Sequence, residues 1–100
     1  MNVGDILVYA YHYNARYPQF VRVTRTTGKT VWLESLKKKW VSDDGYGQNG
    51  TRMPDLTTPG TPMKGSYRVK SMRGGTVEYI TVDGCYCTHW DGTPEDEYTD

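Results

Sequence analysis

The stretch "QFVRVTRTTGKTVWLESL", residues 19–36, decides the fold that the sequence predicts. In its first half Val21 and Val23 alternate with polar and aromatic residues, and "TVWLESL" (30–36) alternates again. Successive side chains of a strand point to opposite faces, so both runs are typical of β-strands. Between them "TTGK" (26–29) contains a glycine, which takes positive φ at little cost. The stretch therefore predicts a β-hairpin with a short loop.

Similar runs occur elsewhere in the chain. "DILVYAYHY" (5–13) alternates, and "YRVKSM" (67–72) and "TVEYITV" (76–82) flank a short glycine-rich turn. The Asp-Gly dipeptide at 83–84 is a strong tight-turn signal, and "CYCTHW" (85–90) follows it as a short strand. No segment shows a sustained 3.6-residue apolar period, so the sequence predicts strands rather than helices.

The number of strands and their spacing predict a fold class. One hundred residues is the size of one domain, so 1–100 is predicted to be a single domain. Residues 42–66 are rich in Gly, Pro and Thr and are predicted to be one long central loop, and 93–100 an acidic tail. Five or six short antiparallel strands with tight turns indicate an all-β fold, a small open β-barrel of the SH3-like kind. A split β-sandwich is the alternative.

Charge is distributed unevenly along the chain, although the formal net charge is zero. Residues 1–75 hold all twelve Lys and Arg and five acids, whereas residues 76–100 hold seven acids and no Lys or Arg. Such asymmetry indicates either an interaction surface or an acidic end that only keeps the domain soluble.

The sequence also bears on location. No apolar run approaches the roughly 18 residues that cross a bilayer, so no membrane partner is expected. The start, "MNVGDILVYAYHY", lacks a basic region followed by an apolar one, which argues against a signal peptide. The expected compartment is the cytoplasm, where the two cysteines stay reduced.

Cys85, Cys87 and His89 share one face of a predicted strand and first suggest a metal site. Each step of two residues advances roughly 6.6–6.8 Å along a strand, whereas zinc ligands converge to roughly 2.0–2.3 Å from the ion. His12 is the only other His or Cys in the chain. We therefore expect small buried cysteines and no metal, with a metal or redox role as the alternative.

Enzymatic signatures are weak. The sequence has no Gly-rich phosphate loop, nucleophile elbow or His-rich metal motif. Asp91, Glu95 and Glu97 are oxygen ligands that suit a hard cation, but they lack the spacing of a known loop. We expect neither catalysis nor a cofactor.

Binding is the better-supported class. Tyrosines occupy alternate positions of the first predicted strand. On other predicted strands, Arg22, Trp32, Arg68 and Lys70 lie opposite the positions expected to form the core. Rings stack bases, and Lys and Arg neutralise phosphates. The alternatives are that the Tyr row is core or barrel rim, and that the "KKKW" run is a solvated edge strand. The predicted partner-binding residues are Tyr9, Tyr11, Tyr13, Arg22, Trp32, Lys37, Lys38, Lys39, Trp40, Glu95, Asp96 and Glu97.

Several segments occur in an order that resembles a known family. They are "VGDILV", "FVRVT", "GKTVWLE", "MP…GTPMKGSYRVK" and "HWDGTP". The pattern is similar to that of small, largely uncharacterised proteins carried by bacteriophages and other mobile elements. The resemblance implies a β-rich domain of mobile-element origin and implies no activity. The Cys-x-Cys pair is not part of the pattern.

Two functional hypotheses follow. In the first, which the sequence favours, the protein is a non-enzymatic interaction module. It binds and inhibits a host protein or nucleoprotein complex in the host cytoplasm, such as a defence nuclease, in the manner of an anti-CRISPR counter-defence inhibitor. The alternative is a small β-barrel that binds single-stranded nucleic acid. The hypotheses differ in the region used, because residues 1–75 suit a polyanion and residues 76–100 repel one. The sequence does not predict an oligomeric state.

Overall fold

Strands and turns make up the protein in a computed structural model that describes residues 1–12, 15–46 and 49–99. No helix occurs in those residues, and the strands pair antiparallel, so the predicted all-β class is confirmed. The strands are β1 (Ile6–His12), β2 (Ala15–Thr26), β3 (Thr30–Leu36), β4 (Lys38–Asp43), β5 (Gly50–Pro54), β6 (Thr61–Pro62), β7 (Tyr67–Arg68), β8 (Lys70–Met72), β9 (Val77–Val82), β10 (Cys85–His89) and β11 (Glu95–Thr99).

The longest strand, β2, has three partners. It pairs with β1 along most of its length, with β11 near its start and with β3 over its second half. On the β1 side the sheet continues through β10 and β9 to β8, and on the β11 side it continues through β5 to β4. The short strands β6 and β7 pair with β3. One strand therefore connects both wings of the sheet.

Residues 67–72 contact two separated parts of this sheet. Tyr67 in β7 pairs with Val31 of β3, and Lys70 in β8 pairs with Tyr79 of β9. β7 and β8 follow each other along the chain but do not pair with one another. Within the described residues, the hydrogen-bonded strands therefore do not form a closed ring. The structure thus shows an open antiparallel sheet in which one segment contacts both β3 and β9.

The predicted hairpin at residues 19–36 is confirmed. Val23 pairs with Leu33, and the Thr27 amide donates to the Thr30 carbonyl at 3.0 Å across the turn. Gly28 takes the positive φ of 92° that the turn requires. A bulge after Val23 shifts the register by one residue, so that Arg25 lies opposite Trp32.

The hairpins of the second half are confirmed as well. Asp83 and Gly84 have φ of 49° and 79°, and positive φ at both central residues is the property of a type I′ turn. The turn between β8 and β9 has the same feature at Arg73 and Gly74, with the Gly75 amide bonded to the Met72 carbonyl. These turns bring β8, β9 and β10 side by side.

Two apolar clusters lie on opposite sides of the sheet. The larger one contains Leu7, Tyr9 and Cys87 together with four buried residues of the predicted hairpin, namely Val21, Val23, Val31 and Leu33. The smaller one is formed by Val8, Phe20 and Leu36, with Ile6 and Trp90 packed against it. Neighbouring residues of β1 and β2 therefore enter different clusters, as strand alternation requires.

The prediction of one long loop at 42–66 is wrong in part, because β4 extends to Asp43 and residues 50–54 form β5. Gly50 allows this pairing: a Cβ placed there would lie 1.9 Å from the carbonyl oxygen of Ser42. Glycine weakens a strand signal in the sequence, yet here it permits the close approach of two backbones.

The predicted acidic tail at 93–100 is also corrected. Residues 95–99 form β11, which pairs with β5 on one edge and with Ala15 and Arg16 of β2 on the other. Acidic residues do not favour strands in isolation. Here cationic side chains of neighbouring strands neutralise two of them, and the segment becomes part of the sheet.

Candidate nucleic-acid interface

The acidic carboxylate of Glu97 is enclosed rather than exposed. Glu97 is 6% exposed and forms ion pairs with Lys38 and with Arg52, whose Nε lies 3.2 Å from Oε2. Lys38 Nζ also donates to the carbonyl of Pro18 at 2.9 Å, and Arg52 lies 3.8 Å from the ring centre of Trp40. We call Lys38, Trp40, Arg52 and Glu97 the inner charge cluster. Glu97 and Lys38, predicted to contact a partner, contact each other instead.

Other acids of residues 76–100 are neutralised inside the chain as well. Glu95 forms an ion pair with Arg16 at 3.6 Å. Glu78 accepts hydrogen bonds from the Met1 ammonium and faces His89, contacts that hold its pKa below the usual range. Asp96 is exposed. The three glutamates of residues 76–100 therefore face cations of the chain, whereas Asp83, Asp91 and Asp96 are exposed.

Arg22, predicted to contact a partner, forms an ion pair with Glu34, to which its Nε donates at 2.6 Å. Lys37 and Lys39 are exposed on either side of half-buried Lys38, as alternation along a strand requires. The Lys and Arg side chains outside the ion pairs with Glu34, Glu95 and Glu97 are all exposed: Arg25, Lys29, Lys37, Lys39, Lys64, Arg68, Lys70 and Arg73.

Two of these cations lie on the same side of the sheet as Trp32. The guanidinium of Arg25 lies over the indole, 4.3 Å from the ring centre. Thr30 pairs with Arg68 across β3 and β7, and Thr30 and Trp32 are two residues apart on one strand. Paired residues and alternate residues share a face, so Arg25, Trp32 and Arg68 lie on the same side of the sheet. We call these three residues the basic face.

A second aromatic feature lies on β9 and β10. Tyr86 is 69% exposed and packs edge to face against Tyr79, with ring centres 5.1 Å apart. Open cavities of about 570 and 500 Å³ flank it, and both are lined by Tyr86 and Thr88. Neither tyrosine is among the predicted partner-binding residues, although Tyr86 lies between Cys85 and Cys87, which were predicted to be buried.

The predicted tyrosine row of β1 is not a continuous outer surface. Tyr9 is 9% exposed and belongs to the larger apolar cluster, where burial raises the pKa of its hydroxyl. Tyr11 is exposed and donates to Asp83 at 2.9 Å, a bond that raises the Tyr11 pKa. Tyr13 lies outside the described residues. The alternative interpretation as core is correct for Tyr9.

The cysteines behave differently from each other. Cys87 is fully buried, as predicted, and burial raises the pKa of its thiol to about 12. Cys85 is half-buried and packs against the same cluster. His89 lies at the exposed end of this face, with Nε2 3.2 Å from Glu78. Within the described ranges no group of three His, Cys, Asp or Glu side chains is arranged to hold a metal ion.

Asp91, Glu95 and Glu97, the three acids considered as ligands of a hard cation, have different partners and do not form one site. Asp91 accepts hydrogen bonds from the amide and hydroxyl of Thr93, which lower its pKa. Glu95 and Glu97 contact Arg16 and the inner charge cluster respectively. Each carboxylate is satisfied by its own neighbours.

Comparisons with known proteins find no similarity: no protein-family model matches the chain, and no curated protein or solved structure matches it. In the described part of the chain no helix is long and apolar enough to cross a membrane.

Proposed function

We propose that the protein is a non-enzymatic binding module whose basic face binds single-stranded nucleic acid. The Arg25–Trp32 pair supports this most, because a planar cation lies 4.3 Å from an indole centre and Arg68 shares its face. Guanidinium planes and indole rings stack on any base, and cations neutralise phosphates. A single strand offers both groups to such a face, whereas a duplex hides its bases.

The internal ion pairs support this ligand over an acid-mediated protein contact. An acidic surface suited to a basic groove needs carboxylates that face solvent. Glu78, Glu95 and Glu97 instead face cations of this chain. The main repulsion expected against a polyanion is thereby reduced, while the cations around Trp32 stay exposed. With zero net charge, we expect affinities on the order of 1–100 μM at physiological salt.

A host protein or nucleoprotein complex is the second candidate partner, with a counter-defence inhibitor of mobile-element origin as the corresponding function. Exposed apolar side chains favour it: Tyr46 is 83% exposed, and Val41 and Leu56 are each at least half exposed. Exposed aromatic and aliphatic anchors are typical of protein interfaces. In both cases the protein acts in the cytoplasm of the host cell, without a cofactor.

We also propose that the sheet is an open SH3-like barrel. The support is the 67–72 segment, whose first half pairs with β3 and whose second half pairs with β9. A segment that pairs with two separated strands brings them close together, as an open barrel of few strands requires. The basic face then lies on the outside of the barrel, opposite the larger apolar cluster.

The test measures the binding of a fluorescein-labelled ten-nucleotide oligothymidine by anisotropy at 50 mM salt. We expect the double variant Arg25→Ala/Arg68→Ala to weaken binding about tenfold, because it removes one stacking plane and two phosphate contacts. The matched control is Lys37→Ala/Lys39→Ala, which removes the same charge from residues outside the basic face. We expect that control to lose less than about threefold.

Two results would overturn the proposal. Absence of binding by the wild type at 50 mM salt excludes the nucleic-acid function. Equal losses of oligonucleotide affinity in both double variants would show that binding depends on overall positive charge and not on a site at the basic face. A host protein recovered equally well with and without nuclease treatment, together with no oligonucleotide binding, would favour the second candidate.

A further inference from the structure

Tyr86 is a large aromatic residue on the outer face of the sheet, and most of its surface is exposed. Register pairs Tyr86 with Thr81 and Thr88 with Tyr79, so these four residues share the outer face of β9 and β10. The alternate residue Cys87 fills the apolar cluster on the other face. A ring that is 69% exposed at the centre of a strand has one edge contact, with Tyr79, and a free face.

The larger of the two cavities lies directly beside this ring. It has a volume of about 570 Å³, and its lining includes Met72, Arg73 and Val77 in addition to Tyr86. Glu78 also lines it, and its carboxylate is paired with the Met1 ammonium. Ligand sites usually enclose about 300–1,000 Å³ of mostly apolar surface with a few polar groups. The cavity therefore combines a ring, apolar walls and an exposed guanidinium, which is the chemistry that holds a base and its phosphate.

The cavity is connected to the basic face through cations. Arg68 belongs to that face, and Lys70, two residues later, pairs with Tyr79. Arg73 follows in the turn to β9. Strands are spaced about 4.8 Å apart and alternate residues about 6.7 Å, so the distance from Trp32 to Tyr86 across this path is on the order of 20 Å. Arg68, Lys70 and Arg73 thus mark a line of positive charge between two aromatic sites.

We propose that a single strand bound at the basic face continues over β8 and stacks a base on Tyr86 in this cavity, with Lys70 and Arg73 on its phosphates. This inference rests on the proposed function and adds a second stacking site to it. The smaller cavity on the other side of Tyr86 is less suited to a polyanion, because Arg16 in its lining is paired with Glu95, whereas Arg73 of the larger cavity is exposed. The strand therefore enters from the β8 side.

The first experiment compares Tyr86→Ala with Tyr86→Phe in the same oligothymidine assay. Stacking is worth a loss of about tenfold when a ring is removed, so we expect Tyr86→Ala to bind about tenfold more weakly and Tyr86→Phe to bind within twofold of the wild type. Tyr46→Ala is the matched control, because it removes a tyrosine that is even more exposed and lies outside the path. Tyr86 is mostly exposed, so its truncation leaves the fold intact, which circular dichroism verifies.

The second experiment locates the strand by photocrosslinking. An iododeoxyuridine oligonucleotide is irradiated with the wild-type protein, which is then digested with trypsin. Residues 76–100 contain no Lys or Arg, so Tyr86 lies in a peptide of residues 74–100, whereas Trp32 lies in a peptide of residues 30–37. We expect crosslinks to both peptides, and loss of the 74–100 crosslink in Tyr86→Ala.

The outcomes separate the two proposals. If the wild type binds no oligonucleotide, the proposed function fails and this inference with it. If the wild type binds and Arg25→Ala/Arg68→Ala weakens binding, but Tyr86→Ala stays within twofold and only the 30–37 peptide is crosslinked, this inference alone is wrong. A Tyr86→Ala variant that keeps its oligonucleotide affinity but loses a host protein partner overturns it as well.

Discussion

Two arginine–tryptophan pairs occupy different environments in this protein. Arg52 lies 3.8 Å from the ring centre of Trp40, and Arg25 lies 4.3 Å from that of Trp32. Arg52 also forms an ion pair with Glu97, which is buried. Arg25 is exposed and forms no ion pair within the described residues. The local chemistry of the two pairs is the same, and the difference comes from the strand that each one faces.

An arginine beside a tryptophan can bind an anionic partner only when no carboxylate of the chain is paired with it. β11 brings Glu97 to the Trp40 side of the sheet, where Lys38 and Arg52 share its single negative charge. β7 brings Arg68 to the Trp32 side and adds a cation instead. Charges in a buried ion pair are satisfied by each other and hold neighbouring strands together. Exposed cations that lie beside a ring and have no carboxylate partner remain able to bind an anion.

The largest expected effect tests the inner charge cluster. Glu97→Gln removes the negative charge and leaves Lys38 and Arg52 partly buried without a counter-charge. Removing one member of a buried ion pair costs about 3 kcal/mol of the free energy of unfolding. Urea denaturation followed by circular dichroism measures this loss.

The control for this experiment is Glu95→Gln, because that ion pair with Arg16 is longer and reaches solvent more. We expect the control to lose less than about 1 kcal/mol. Equal and small losses in the two variants would contradict the structural role assigned to Glu97.

A second experiment compares the two arginines directly. Arg52→Ala removes a ring contact and a charged hydrogen bond to buried Glu97, so we expect the free energy of unfolding to fall by about 2 kcal/mol. Arg25→Ala removes only an exposed ring contact, and we expect a loss of about 0.5 kcal/mol. Urea midpoints measure both, and a loss from Arg25→Ala as large as that from Arg52→Ala would remove the distinction between the two pairs.

The smallest expected effect concerns the salt dependence of oligonucleotide binding. On single strands the logarithm of the binding constant changes with the logarithm of salt concentration by about 0.7 per phosphate neutralised. Arg68→Ala should therefore reduce the slope by about 0.7. Lys39→Ala, which removes an exposed charge outside the basic face, should leave it unchanged. Anisotropy titrations between 50 and 200 mM salt give the slopes, and identical slopes in the two variants would count against a defined phosphate contact at Arg68.

Local pattern was sufficient for the hairpins. Val21 and Val23 alternate within the sequence that forms β2, and the Asp83–Gly84 turn depends on two adjacent residues. Both signals lie within a few positions of what they determine, so the chain read in sequence order predicts them.

Contacts between residues far apart in the sequence could not be predicted from local pattern. Lys38 looks the same as Lys37 in the run of three lysines, and only the position of β11, 59 residues away in sequence, distinguishes it. Tyr9 alternates as predicted, but alternation does not say which face is the core when both faces of β1 are buried. Arg25 was missed because a bulge moved it opposite Trp32.

β2 has a consequence for how the molecule opens. Its backbone amides and carbonyls are bonded to β1, β3 and β11, so β2 cannot be released without separating all three. Amide hydrogens in its middle should therefore exchange with solvent only through global unfolding, and the strands on either side should lose protection at the same denaturant concentration. The inner charge cluster and the basic face are chemically independent, but they belong to one cooperative unit.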